Sequence, residues 1–132
     1  MDKVLVIDDD PQFTDIVKFH LQKLGIEVYV AHTKNDVFDL ANQHKFKVII
    51  LDIFFPNKED SQALLKLIKK DELIKNVPIV LVTSLPMEFF QQEGNLDQYL
   101  RDVKMFVSKN EDAKTIVSRI KDIITDQNQP SL

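Results

Sequence analysis

Four places in this 132-residue chain set a reactive side chain directly after an apolar run. Asp8-Asp9-Asp10 follows Val4-Leu5-Val6-Ile7, and Asp52 follows Val48-Ile49-Ile50-Leu51. Thr83-Ser84 follows Ile79-Val80-Leu81-Val82, and Ser108-Lys109 follows Met105-Phe106-Val107. If those runs are neighbouring parallel strands, acids, a hydroxyl and an amine share one end of a sheet, where open parallel sheets bind their ligands. Two carboxylates ~4 Å apart at an effective dielectric of about 20 repel by about 4 kcal/mol, so such a cluster needs a cation. An all-oxygen set without His or Cys suits Mg²⁺ or Mn²⁺, which takes one or two carboxylates and completes its shell with water, carbonyl and phosphate oxygens. Lys109 can supply a point charge to a phosphate oxygen and Thr83 a hydroxyl hydrogen bond. The chemistry is that of a phosphoryl group handled beside a divalent ion.

Each piece alone has a plainer explanation. Asp10 before Pro11 is an N-cap, and Asp8 or Asp9 in isolation would be read the same way. Lys109 taken singly is a solvated lysine, and Thr83-Ser84 a turn. Asp52 resists this reading, because Ile53-Phe54-Phe55-Pro56 follows it and no helix begins there. The joint placement at four strand ends carries the argument. His20, His32 and His44 are scattered along the chain and are assigned structural roles.

The elements that must hold these groups follow from periodicity. After the first apolar run, Phe13, Ile16, Val17, His20, Leu21 and Leu24 recur at helical spacing, opened by Asp10-Pro11 and closed by Gly25. Ile26, Val28 and Val30 alternate with polar neighbours, the mark of a strand with one buried face. Val37, Leu40 and Ala41 mark a second helix, and Leu64, Leu65 and Ile68 a third. A broken or short helix is expected between Leu85 and Asp102, interrupted by Gly94-Asn95. Ala113, Ile116, Val117, Ile120 and Ile124 form the stripe of the last helix, with Asn110 as its expected cap. Strands alternating with helices imply parallel crossovers. Strands one, three and four are apolar throughout, as interior strands are, and strand two is not. The fold class is α/β, a doubly wound five-stranded parallel sheet in the order 2-1-3-4-5.

Composition narrows the rest. A charge of 17 − 21 = −4, with 44% hydrophobic and 29% charged residues, describes an ordinary globular chain. Its size suits one domain at roughly 100 to 200 residues per domain, expected over 1–126 with a polar tail at 127–132. The absence of Cys excludes disulfides and thiolate chemistry. The lack of a basic cluster argues against direct nucleic-acid binding, and the lack of a long apolar run argues against a membrane span. With no signal-peptide pattern at Met1-Asp2-Lys3-Val4, a cytoplasmic location is expected.

The same segments, together with Pro56 and Pro78, resemble the receiver domains of two-component response regulators, and the resemblance extends over essentially the whole chain. It implies the flavodoxin-like receiver fold, with Asp52 as phosphoacceptor for a phosphohistidine on a sensor histidine kinase or histidine phosphotransfer protein. It implies Mg²⁺ (or Mn²⁺) held by Asp9, Asp52 and the Phe54 carbonyl, with Asp8 acting through metal-bound water. Lys109 would pair with Asp52 and then with the phosphoryl group, Thr83 would move toward the phosphoryl oxygen, and Phe106 would turn inward as the switch aromatic. The chain would then act as a phosphorylation switch rather than an enzyme with an external substrate. It would report to a downstream protein, or a second copy of itself, through its fourth helix, fifth strand and last helix.

Some positions depart from the family pattern. Asn110 stands where a proline usually follows the lysine, so a trans bond is expected there, because a non-proline cis bond costs roughly 2.5 to 4 kcal/mol. The usual glycine after Pro56 is replaced within Asn57-Lys58-Glu59-Asp60, and the usual Gly-Ala before strand five is absent from Arg101-Asp102-Val103. The stretch from Thr83 to Lys109 is a few residues longer. Phe54 and Leu85 are apolar where a polar side chain could orient water, which implies slow hydrolysis of an aspartyl phosphate. The competing readings are a degenerate receiver that binds partners without phosphorylation and an aspartate-nucleophile phosphohydrolase. The second lacks an acid at Phe54, where such an enzyme needs one.

Overall fold

The apolar strands carry an alternation of size beneath their uniform hydrophobicity, and it decides what packs on each face. The computed structural model describes residues 1–85 and 101–128. In it β1 (Lys3–Ile7), β2 (Glu27–Ala31), β3 (Val48–Asp52), β4 (Ile79–Thr83) and β5 (Met105–Ser108) form one parallel sheet in the order β2-β1-β3-β4-β5. Successive strand residues point to opposite faces. Val4, Val6, Val48, Val80, Val82 and Val107, with Ile50, pack with the buried residues of α1 (Pro11–Lys23) and α4 (Ala113–Asn128). The longer Leu5, Ile7, Ile49, Leu51, Ile79 and Leu81 pack with α2 (Lys34–Gln43) and α3 (Lys58–Lys70). Two cores result, one on each side of the sheet, and the predicted fold class and strand order are both observed.

Local signals set the helix ends. The Asp10 carboxylate accepts from the Gln12 N–H at 3.1 Å, with Pro11 at the first helical position of α1. That helix closes through Gly25 at φ 78°, with Gly25 N–H donating to Gln22 and Ile26 N–H to Leu21. The turn needs a left-handed residue, which glycine supplies without penalty. Thr33 and Asp36 form a reciprocal capping box on α2.

The structure corrects several expectations. The buried stripe of α1 is centred on Val17 and Leu21, so Ile16 lies at its margin and Leu24 at the helix end, both exposed, and Thr14 is buried instead. The cap of α4 is Asp112, whose carboxylate accepts from Lys114 N–H, rather than Asn110. Of the polar tail expected at 127–132, the first two residues are helical, Gln127 donating to the Lys47 carbonyl and Asn128 accepting from Lys47 Nζ. The helix expected between Leu85 and Asp102 falls outside the described residues. No helix among the described residues is long and apolar enough to cross a membrane.

Candidate functional site

The strand register places the reactive residues on one rim. Ile7 pairs with Leu51, Asp52 with Val82, and Thr83 with Ser108. Asp8 therefore leaves β1 level with Asp52, and Lys109 leaves β5 one step beyond Thr83. All lie at the carboxyl ends of adjacent strands, the position expected for ligand binding in this architecture.

Asp8, Asp52 and Thr83 are buried, whereas Asp9 is exposed. One carboxylate oxygen from each of Asp8, Asp9 and Asp52 lies within 4.8 Å of the others. Lys109 reaches into this group, its Nζ 2.7 Å from Asp8 Oδ2, 3.4 Å from Asp52 Oδ2 and 3.9 Å from Asp10 Oδ2. The ammonium also sits 4.8 Å from the centroid of the Phe13 ring, a cation-π contact that helps hold it inward. Backbone amides orient both buried acids: Asp10 N–H donates to Asp8 Oδ1 at 3.0 Å, and Phe54 N–H donates to Asp52 Oδ1 at 3.1 Å.

The lysine does not neutralise the cluster. Its ammonium meets Asp8 at 2.7 Å and Asp52 at 3.4 Å, one positive charge shared among the carboxylates of Asp8, Asp52 and Asp10. Burial, and then the neighbouring charge of Asp52, push the Asp8 carboxyl up to about 6, against the opposing pull of Lys109 and the Asp10 amide. Burial alone would depress Lys109, but Asp8, Asp52 and Asp10 together outweigh it and hold the ammonium above its ordinary range. An all-oxygen donor set, crowded with more negative charge than one lysine offsets, fits Mg²⁺ or Mn²⁺.

Residues 4–121 match the response regulator receiver domain. The chain belongs to that family. This receiver shares its fold with a two-component response regulator from Clostridium difficile, at a TM-score of 0.80 and 20% identity, covering 98% of this chain and 100% of that one. The receiver domain of the Francisella response regulator 1452 matches at 0.78 and 23% identity, over 97% of this chain and 100% of that one. The chemotaxis protein CheY4 of Vibrio cholerae matches at 0.75 and 24% identity, over 93% and 98% respectively.

The receiver's remaining candidates lie around the rim. Thr83 Oγ1 accepts from Leu85 N–H at 3.1 Å, and the Thr83 carbonyl accepts from Lys109 N–H at 2.7 Å, tying the hydroxyl-bearing strand end to the lysine. Phe54, Leu85 and Phe106 are half-buried against the core that α2 and α3 share. The Lys109–Asn110 bond is trans, as the missing proline implied. Asn110 Nδ2 instead donates to the Ser84 carbonyl at 3.3 Å, linking the loops after β4 and β5. A cleft of about 400 Å³ between the starts of α2 and α3 opens onto Asp9, with Thr33, Lys34, Phe55 and Pro56 among its walls.

Two contributors escaped the sequence reading. Phe13 was assigned only to the helix core, because nothing local shows that Lys109 would lie over its ring. Ser61 was not singled out at all. Its signal was present, since Ser61, Leu64, Leu65 and Ile68 share one face of α3, and a serine there lies among buried apolar residues.

Proposed function

We propose that this receiver is a phosphorylation switch in which Asp52 accepts a phosphoryl group from a phosphohistidine on a sensor histidine kinase or histidine phosphotransfer protein. The observation that carries the reading is the Lys109 ammonium held 2.7 Å and 3.4 Å from two buried carboxylates at adjacent strand ends. Positioning and charge neutralisation are what phosphoryl transfer asks of a protein. Phe54 N–H fixes one oxygen of Asp52 and Lys109 holds the other, so the nucleophile is oriented before the donor arrives. As the aspartyl phosphate forms, Lys109 is placed to follow the new negative charge and Thr83 to offer its hydroxyl. Asp8, Asp9, Asp52 and the Phe54 carbonyl are the groups that would hold Mg²⁺ or Mn²⁺, which when bound offsets charge on the phosphoryl oxygens.

The signal is a population shift that Thr83 and Phe106 would pass to the surface around β5 and α4, altering how a partner protein binds. The chain catalyses only its own phosphoryl gain and loss. Phe54 and Leu85 offer no polar side chain to orient water, so the aspartyl phosphate should persist, and loss of label within seconds after removal of the donor would contradict this.

The test is incubation with Mg²⁺ and acetyl phosphate, read by intact mass and peptide sequencing. The expected result is one phosphoryl group on Asp52, absent in Asp52→Asn and without added metal. No adduct in the wild type would mean a phosphorylation-independent interaction module.

A further inference from the structure

The turn that carries the phosphoacceptor is closed by a side chain nine residues away. Asp52 and Phe55 are the first and last residues of a four-residue turn, positions at which a carbonyl and an amide usually bond directly. Here Phe55 N–H donates to Ser61 Oγ at 2.6 Å, and Ser61 Oγ donates on to the Asp52 carbonyl at 2.8 Å. The same hydroxyl lies 3.3 Å from the Phe55 carbonyl. Ser61 is 1% exposed, so water does not compete for these bonds.

The clamp is tied to the altered loop after Pro56. In that loop Asn57 caps α3, its side-chain oxygen accepting from Asp60 N–H at 2.9 Å. The cap starts the helix at Lys58 and brings Ser61, one turn further along, back against the strand end. Within the clamped turn lie the two groups the proposed chemistry needs: the Asp52 carboxylate, held by Phe54 N–H, and the Phe54 backbone carbonyl.

We infer that Ser61 is a positioning residue that holds the Asp52–Phe55 turn in the shape that lets Asp52 and the Phe54 carbonyl meet a divalent ion. It touches neither the ion nor the phosphoryl group. Removing the hydroxyl deprives a buried amide and a buried carbonyl of their shared partner, which loosens the turn and frees both ligands to shift. The inference rests on the receiver reading above, and the experiment separates the two.

Ser61→Ala and the near-isosteric Ser61→Cys are compared with the wild type by amide hydrogen exchange at Phe55, Mg²⁺ titration calorimetry and phosphoryl loading. Both variants should show faster Phe55 exchange and roughly tenfold weaker Mg²⁺ binding, the size of effect seen when a group supporting a metal ligand is lost. Loading should recover toward the wild-type rate at saturating Mg²⁺, which a general loss of structure would not allow. Wild-type Mg²⁺ affinity in a folded Ser61→Ala overturns the inference and leaves the phosphoacceptor reading intact, whereas a wild type that binds no Mg²⁺ overturns the phosphoacceptor reading. Should neither variant fold, the wild type still decides: its Phe55 amide must be protected like the strand amides, and rapid exchange there defeats the clamp.

Discussion

The two ends of the sheet hold a lysine, an aromatic ring and carboxylates in similar company, yet the consequences differ. At the carboxyl end Lys109 lies over Phe13 among Asp8, Asp52 and Asp10, with side chains of Lys109, Asp8 and Asp52 11%, 0% and 9% exposed. At the amino end Lys3 lies 5.9 Å from the Tyr29 ring centroid and 3.9 Å from Glu27, at 28% and 41% exposed. Lys3 also donates to His44, which stacks on Tyr29 at 4.1 Å. The amino end balances one charge with one charge in contact with water. The carboxyl end buries more acid than its lysine can match. Burial together with imbalance, rather than the presence of an ion pair, separates a site from a surface feature.

The sharpest way to break this comparison is to remove each lysine. Lys109→Met in the metal-free chain should cost about 3 kcal/mol, because it strands buried carboxylates. Lys3→Met should cost less than about 1 kcal/mol, the usual worth of an exposed pair. Urea unfolding with unchanged m-values measures both, and equal losses would erase the distinction between the two ends.

A smaller effect of opposite sign is expected from Asp8→Asn. The folded-state value of about 6 lies above the ordinary 3.8, so the folded chain binds the Asp8 proton more tightly than the unfolded chain does. Stability linked to Asp8 is thus fully present below about pH 4 and is lost as the pH rises toward 6. At pH 7, Asp8→Asn should raise the stability of the metal-free chain by on the order of 1 to 3 kcal/mol and flatten its profile between pH 4 and 6. Added Mg²⁺ should raise the melting temperature of the wild type and do much less for the variant. A variant less stable than the wild type at pH 7 without metal would show that the acidic rim is not strained.

The parts legible from sequence were those written in local pattern. Val4 to Ile7 and Val48 to Leu51 announce interior strands because both faces are covered, and Asp10-Pro11 and Gly25 mark the ends of α1 by their own backbone preferences. Once the strand order followed from these, the rim of Asp8, Asp9, Asp52, Thr83 and Lys109 followed from position alone. What stayed hidden depends on contacts between distant residues. Ser61 closes a turn that begins at Asp52, Phe13 receives a lysine from the far end of the chain, and Asn110 bonds Ser84 rather than capping α4. The burial of Asp8, and hence its raised protonation, also required the packed structure, since the sequence shows three adjacent aspartates without showing which one faces inward.

The finest test lies at the amino end, where Tyr29 donates its hydroxyl to Glu27 at 3.1 Å. The phenol is held above its ordinary value of 10.0, first by desolvation and then by Glu27, which accepts its proton in a hydrogen bond and repels the phenolate. Because the folded-state value is the higher one, any linked stability is present below pH 10 and fades as the pH climbs past it. The chain has two tyrosines, so a Tyr99→Phe background isolates Tyr29 for ultraviolet titration. Adding Glu27→Gln should move the phenolate midpoint down toward the ordinary value. An unmoved phenolate midpoint would mean that Glu27 does not govern Tyr29.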